Sequence, residues 1–228
     1  GCESPTAMFP SDDTPRWLDP SDCEADRMSN GGPGSIAQQI ATGDHDVILG
    51  GGQKHFDPIA ENSDKTVIEL AQENQYRVIN DIADLADLQT TAIVEDKILG
   101  LFSPSTMPTR WQGQDGRSAE KPEPSLLNMI DWRIGSVELP SPMTCEANPE
   151  FEGMPSLQQM TDTALEQLSR RSDKGFFLMV ESASIDKQSH YRNPCGSIGE
   201  VEQLEEALAS ALAFTQHHPK SVCLDGVG

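Results

Sequence analysis

Between Ser156 and Glu181 the chain changes its hydrophobic pattern within a single turn, and few folds accommodate that change. Leu157, Met160, Ala164, Leu165 and Leu168 recur at helical spacing and line one face of a helix. Ser156 with Gln159 three residues on forms a capping-box pattern at its start, and Arg170 and Arg171 favour its negative end. After the turn "SDKG" comes "FFLMV", a continuous apolar run of the kind expected in a central strand covered on both faces. A helix leading directly into such a strand predicts an α/β fold with a mostly parallel sheet.

The upstream segments repeat the alternation. "SIAQQIA" (Ser35–Ala41) reads as a short helix and "DVILGGG" (Asp46–Gly52) as a buried strand ending in glycines. "TVIELAQEN" (Thr66–Asn74) reads as a helix with Val67, Leu70 and Ala71 on one side, and "YRVIN", "IADLADL" and "KILGLFS" continue the series. A last helix, "EVEQLEEALASALAFTQ", is expected to bury Val201, Leu204, Leu208, Ala211 and Leu212 and to expose its glutamates, with "SVCL" starting another strand. Near 1–34 and 104–155 the periodicity fails and Pro, Asp, Ser and Gly accumulate, so both read as irregular surface excursions, the second carrying little chemistry. A length of 228 residues suffices for one sizeable core, either a whole domain or part of a larger one.

Charge narrows the partners. The 37 acidic and 16 basic residues leave a net charge of −21, which repels nucleic acid and anionic membranes. The acidic residues are spread along the chain, as in a protein kept soluble in high salt or in an ordinary acidic secreted protein. No window approaches the roughly 18 to 20 uninterrupted apolar residues of a membrane span. The chain starts at Gly1 with no basic-then-apolar leader, so its true start is expected to lie upstream. Five cysteines, none in C-x-x-C spacing, read as two disulfides and one leftover thiol, which suits an oxidising compartment. Their pairing stays open, and Cys223 in its apolar run is either a core thiol or an exposed one.

Ligand crevices in open α/β sheets lie beyond the carboxyl ends of the strands, where Glu181 follows "FFLMV". Asp186 and His190 are four apart and share one face if the segment turns helical after Ser184. A carboxylate with an imidazole suits Zn²⁺, and a lone carboxylate at a strand end suits a harder ion such as Mg²⁺. Asp186 reads equally well as a helix cap. Gly50 to Gly52, before Gln53 and Lys54, lack the G-K-[ST] ending of a phosphate loop and read as a tight turn. His45, His55, His217 and His218 read as surface residues, and Trp111 and Trp132 as local packing.

"GFFLMVESASIDKQSHYRNPCGSIGE" resembles the segment of bacterial alkaline phosphatases that runs from a central strand through V-E-G-x-x-I-D-x-x-x-H to N-P-C-G. "GGPGSIAQQI", "DVILGGGQKHF", "LGLFSPSTMPTRW", "TCEANP" and "MPSLQQMTDTALEQLS" resemble that family in the same order, from about Cys2 to about Lys220. The resemblance implies a three-layer α/β/α sandwich, with residues 1–228 the central portion of one domain. It implies Glu181 as a Mg²⁺ ligand, Asp186 and His190 as ligands of one of two Zn²⁺ ions, and Lys187 as a residue that contacts phosphate indirectly and tunes the magnesium site. It further implies disulfides Cys2–Cys23 and Cys145–Cys195, a periplasmic or secreted location, a homodimer when full-length, and hydrolysis of phosphomonoesters through a phosphoserine.

The departures from the family pattern are as informative. The family's nucleophilic Asp-Ser-Ala stretch and its phosphate-binding Arg match positions before this chain begins, and "SVCLDGVG" has no counterpart of the later Asp-His pair. Ser182 stands where the family has Gly, and Ser189 replaces an acidic or His neighbour. A fragment of an alkaline phosphatase, itself inactive, is therefore expected. The alternatives are a truncated, non-catalytic metal-binding module, or a phosphodiesterase or sulfatase relative of the same superfamily.

Overall fold

Ser35 and Thr66 start two helices by satisfying backbone N–H groups that lack a partner in the first turn. Ser35 Oγ accepts from the Gln38 N–H at 3.1 Å to cap α1 (Ile36–Thr42), and Thr66 with Glu69 forms a reciprocal capping box on α2 (Val67–Glu73). These elements belong to a computed structural model that describes residues 27–90, 96–171, 173–218 and 221–224. The expected Cys2–Cys23 bridge, and all but the last residues of the excursion near 1–34, lie outside them. The chain divides into two compact units.

The first unit takes in the residues up to Pro108, Gly153–Val180 and those from Glu205 onward. Its centre is a parallel sheet of β1 (Val47–Gly50), β2 (Tyr76–Ile79) and β3 (Lys97–Leu101) in the order β1-β3-β2, with Val47 opposite Ile98 and Tyr76 opposite Lys97. The central position of β3 explains why it is buried on both faces. Leu99 and Leu101 pack with Ala37, Phe56, Val67 and Ala71 beside α1 and α2. Ile98 packs with Ile79, Leu85, Leu88 and Met160 beside α3 (Ile82–Thr90) and α5 (Leu157–Arg171). Helices therefore cover both faces of the sheet, as the α/β expectation requires, and each fully buried Leu or Ile contributes roughly 1.5–3 kcal/mol.

The anticipated capping box on α5 forms in both directions, with the Ser156 N–H donating to Gln159 Oε1 at 2.8 Å and the Gln159 N–H to Ser156 Oγ at 3.1 Å. The glycine run after β1 is a tight turn. Gly52, at φ +91°, donates its N–H to the carbonyls of Ser103 and Ser105 at 3.0 and 2.8 Å. A Cβ on Gly51 would fall 2.2 Å from the Ser105 carbonyl oxygen, so only glycine fits there.

The second unit, Thr109–Glu152 with Glu181–Leu204, holds what reads from sequence as a featureless excursion. An antiparallel ribbon of β4 (Trp111–Gly113) and β7 (Cys145–Ala147) closes its base. Between them lie β5 (Glu123–Pro124), α4 (Leu126–Ile130) and β6 (Val137–Glu138), β5 pairing with β6. Helix α6 (Ser184–His190) follows, and then α7 (Pro194–His217), of which the residues up to Leu204 belong to this unit. Cys145 and Cys195 are disulfide-bonded, joining β7 to the first turn of α7.

Five expectations are corrected. Residues 175–180 form no strand, and Phe177 and Met179 are 88% and 73% exposed, because the described residues provide neither a pairing strand nor cover on both faces. Residues 221–224 form no strand either. Helix α7 buries Glu200, Gln203 and Ala207, while Val201, Leu204 and Leu212 stay open to solvent. Each buried residue precedes a residue of the apolar stripe by one position, so the covered face lies about 100° round the helix from the one the pattern marks. His55 is buried in the first unit, and burial, reinforced by the neighbouring Lys54 charge, pushes its pKa below the usual histidine value. Trp132 is 79% exposed rather than locally packed.

Candidate metal centre

Two of the candidate ligands, Asp186 and His190, lie on α6, just before the chain turns into α7. Asp186 and His190 lie one turn apart on α6, and His190 Nε2 approaches Asp186 Oδ1 at 3.5 Å, as the four-residue spacing predicts. Their side chains are 81% and 78% exposed. Lys187 is half-buried on the same helix, and Glu181 is exposed in the segment just before it.

Hydrogen bonds hold this corner from several sides. Arg192 takes a left-handed φ of +56° and ends α6, and its carbonyl accepts the Ala119 N–H at 2.7 Å. Asn193 then caps α7, its Oδ1 accepting from the Gly196 N–H at 3.1 Å ahead of Pro194 in the first turn. Its Nδ2 donates to Gln188 Oε1 at 2.9 Å, so one side chain bridges both helices. Ser189 Oγ donates to the Ile185 carbonyl at 2.8 Å and lies 3.3 Å from Ser197 Oγ. Ser189 thus links the two helices.

Ser182, beside Glu181, donates its hydroxyl to the Glu200 carbonyl at 3.0 Å. The Glu200 carboxylate in turn accepts the Arg110 N–H at 3.3 Å and the Gln203 amide at 2.8 Å. Burial raises the Glu200 pKa above its ordinary value, and these hydrogen bonds with the Arg110 charge partly offset the rise. Trp111 lies over Gly199, where a Cβ would meet its ring at 2.6 Å, and its Nε1 donates to Glu202 at 2.7 Å. This polar network around Glu200, Arg110 and Gln203 escapes sequence reading because its members touch only once the chain has folded. A polar cavity of about 490 Å³ in the same unit is lined by Thr109, Gln112, Arg117, Asn148, Glu150 and Asn193 and by none of the candidate ligands.

Among the described residues, no three His, Cys, Asp or Glu side chains converge to hold a metal ion. Asp186 and His190 fit two of the three protein ligands that a catalytic zinc takes: the donor types are right and both are exposed on one face. Glu181 is not brought into a cluster with them. No helix of the described residues is long and apolar enough to cross a membrane.

The chain is similar to known proteins over most of its length. The chain is 41% identical to the alkaline phosphatase of Escherichia coli (strain K12) over 198 residues, 85% of this chain and 38% of that protein. It is 32% identical to the streptomycin-6-phosphate phosphatase of Streptomyces griseus, over 89% of this chain and 42% of that one. The chain thus spans about two fifths of the length of these relatives. The crystal structure of Thermus thermophilus alkaline phosphatase superposes with a TM-score of 0.54 at 22% identity, covering 81% of this chain and 30% of that one, and so shares its fold. The alkaline phosphatase family pattern matches residues 3–225, and the chain therefore belongs to the alkaline phosphatase family.

Proposed function

We propose that residues 1–228 are the central, ligand-bearing portion of one domain of a periplasmic or secreted alkaline phosphatase that hydrolyses small phosphomonoesters. The observation that carries the proposal is α6, which sets Asp186 and His190 one turn apart at 3.5 Å on an exposed face, inside a family match over residues 3–225. In this reading Asp186 and His190 hold one zinc ion, Glu181 holds magnesium, and Lys187 contacts phosphate indirectly and tunes the magnesium site. The bound metals supply Lewis-acid stabilisation of the oxygens entering and leaving phosphorus.

The chain's own residues hold and orient. The backbone of α6 fixes the Asp186 to His190 spacing, the Asn193 bridge fixes how that helix meets α7, and Ser182 ties the Glu181 segment to Glu200. Zinc binds ionised carboxylate and neutral imidazole, so its affinity falls as acid protonates Asp186 and His190. The phosphoryl acceptor is a serine in an Asp-Ser-Ala sequence, and these 228 residues contain none. The isolated chain is therefore expected to hydrolyse p-nitrophenyl phosphate poorly or not at all. The full-length protein works as a homodimer and binds neither nucleic acid nor membrane.

The test is His190→Ala in the full-length gene product. It is expected to lower kcat/KM for p-nitrophenyl phosphate at least about tenfold and to reduce the bound zinc. Unchanged turnover and zinc content would refute the proposal. A second reading, a non-catalytic metal-binding module, is favoured by the exposed two-ligand set. It would be indicated by zinc binding without turnover in the full-length protein.

A further inference from the structure

Helix α6 carries the Asp186–His190 pair but has little of its own to keep it helical. It is seven residues long, well short of the roughly 12–15 at which an isolated helix is even marginal in water. Ala183 at its N-cap offers no side-chain acceptor to the first turn, and Ser184 is its one buried residue. Neither a side-chain cap at its start nor apolar burial therefore accounts for its order. The 3.5 Å approach of His190 to Asp186 exists only while that helix is formed.

The restraint comes from the other end. At the turn into α7 the Tyr191 N–H donates to the Lys187 carbonyl at 3.0 Å, the Arg192 N–H to the Ser189 carbonyl at 3.1 Å and the Asn193 N–H to the Gln188 carbonyl at 2.9 Å. The Asn193 side chain then works in two directions. Its Oδ1 accepts the Gly196 N–H and so belongs to α7, while its Nδ2 donates to Gln188 Oε1 and so holds α6. Gln188 stands between the two candidate ligands, two residues from each. Gly196 makes the junction close: a Cβ there would lie 2.7 Å from Asn193 Nδ2 and 2.8 Å from Gln188 Oε1.

The far side of this bridge is anchored independently of α6. Helix α7 is 24 residues long, and the Cys145–Cys195 disulfide ties its first turn to β7. The Arg192 carbonyl accepts the Ala119 N–H at 2.7 Å. A short helix is thus clasped to a long and tethered one.

We propose that Asn193 and Gln188 are positioning residues for the zinc-binding pair, their bridge keeping α6 helical before metal arrives. This rests on the reading of Asp186 and His190 as zinc ligands. The apparent affinity of a ligand falls with the fraction of protein in the competent conformation, so loss of the bridge is read as weaker zinc binding. The coupling is reciprocal, and zinc on the pair slows the opening of α6.

Two variants break the bridge and keep the cap of α7. Gln188→Ala removes the acceptor, and Asn193→Ser retains a capping hydroxyl that is too short to reach Gln188. Alanine has the higher helix propensity, so a purely local effect of Gln188→Ala would steady α6, opposite in sign to the effect expected here. Gln188→Glu keeps the acceptor and is the conservative control.

The test is amide hydrogen exchange of the metal-free full-length gene product in peptides across residues 184–191, beside zinc affinity measured by competition with a chelator. Both bridge variants are expected to speed exchange in that segment and to weaken zinc at least about threefold, with Gln188→Glu matching the parent. Parent-like exchange in both variants, faster exchange with unchanged zinc affinity, or equal losses in Gln188→Glu would each overturn the proposal and leave the metal reading standing. Zinc affinity indifferent to His190→Ala would refute the metal reading, and this proposal with it.

Discussion

Replacing Cys145 by serine and Cys195 by alanine together is expected to unfold the second unit while leaving the first intact. In the described residues of that unit, Cys195 is the only buried hydrophobic residue, and the other buried side chains there are polar, among them Thr109, Ser184, Glu200 and Gln203. Burial of apolar surface therefore contributes little, and the disulfide has to restrict the unfolded ensemble instead. The bridged residues are 50 apart in sequence, and closing a loop of that length lowers the free energy of the folded state relative to the unfolded one by about 4 kcal/mol at 25 °C. Small domains have a total stability of roughly 5–15 kcal/mol even with a core, so about 4 kcal/mol is most of what a coreless unit has. Two of the three tryptophans, Trp111 and Trp132, lie in this unit, so urea unfolding followed by tryptophan emission is weighted towards it, with Trp17→Phe as the background that removes the third, and far-UV circular dichroism follows the helices of both units. Changing the two cysteines, rather than adding reductant, leaves any bridge between Cys2 and Cys23 untouched. A tryptophan transition within about 1 kcal/mol of the parent would refute the claim that the disulfide, rather than the hydrogen-bond network around Glu200, holds the unit together.

Two further outcomes follow from single contacts. Burial raises the Glu200 pKa above 4.5, so the folded state binds the proton more tightly than the unfolded chain, and stability falls as pH rises from about 4.5 through the raised value. Glu200→Gln keeps an acceptor for the Arg110 N–H and removes the titration, so unfolding across that window is expected to show a flatter pH dependence, with stability above it equal to or greater than the parent's; a variant less stable at pH 7 than the parent would contradict this. Gly51→Ala drives a methyl group to within 2.2 Å of the Ser105 carbonyl and is expected to cost about 1–3 kcal/mol. That appears as a lowered Tm of the first unit in calorimetry, and an unchanged Tm would show that the turn yields.

What was legible in the sequence was local. The Ser156 capping box and the apolar periodicity of α2 and α5 depend on residues within a few positions of one another and form as expected, and the alternation of strand and helix patterns pointed to the parallel sheet around β3. The Asp186 to His190 spacing belongs to this class, because a helix alone brings the two side chains together. What depends on distant cover was not legible. "FFLMV" has the composition of a central strand, but its burial requires neighbours that the described residues do not supply. The leucines of α7 mark an apolar face, while the contacts made here run through Glu200 and Gln203, polar residues whose burial depends on partners far away in the chain. His55 carries no sequence signal of its burial, and Trp132 none of its exposure. Cysteine spacing left the pairing open; family resemblance implied Cys145 with Cys195, and the structure contains that bridge.

Ser182 has a further consequence. Its backbone stays out of the left-handed region, so the side chain costs no strain there, and its hydroxyl reaches the Glu200 carbonyl. Relative to glycine, any such residue also narrows the conformations open to the unfolded chain, an effect of about 0.4–1 kcal/mol in favour of the folded state. The backbone beside Glu181 is thus ordered before any ligand arrives, and less conformational entropy remains to be lost when one binds.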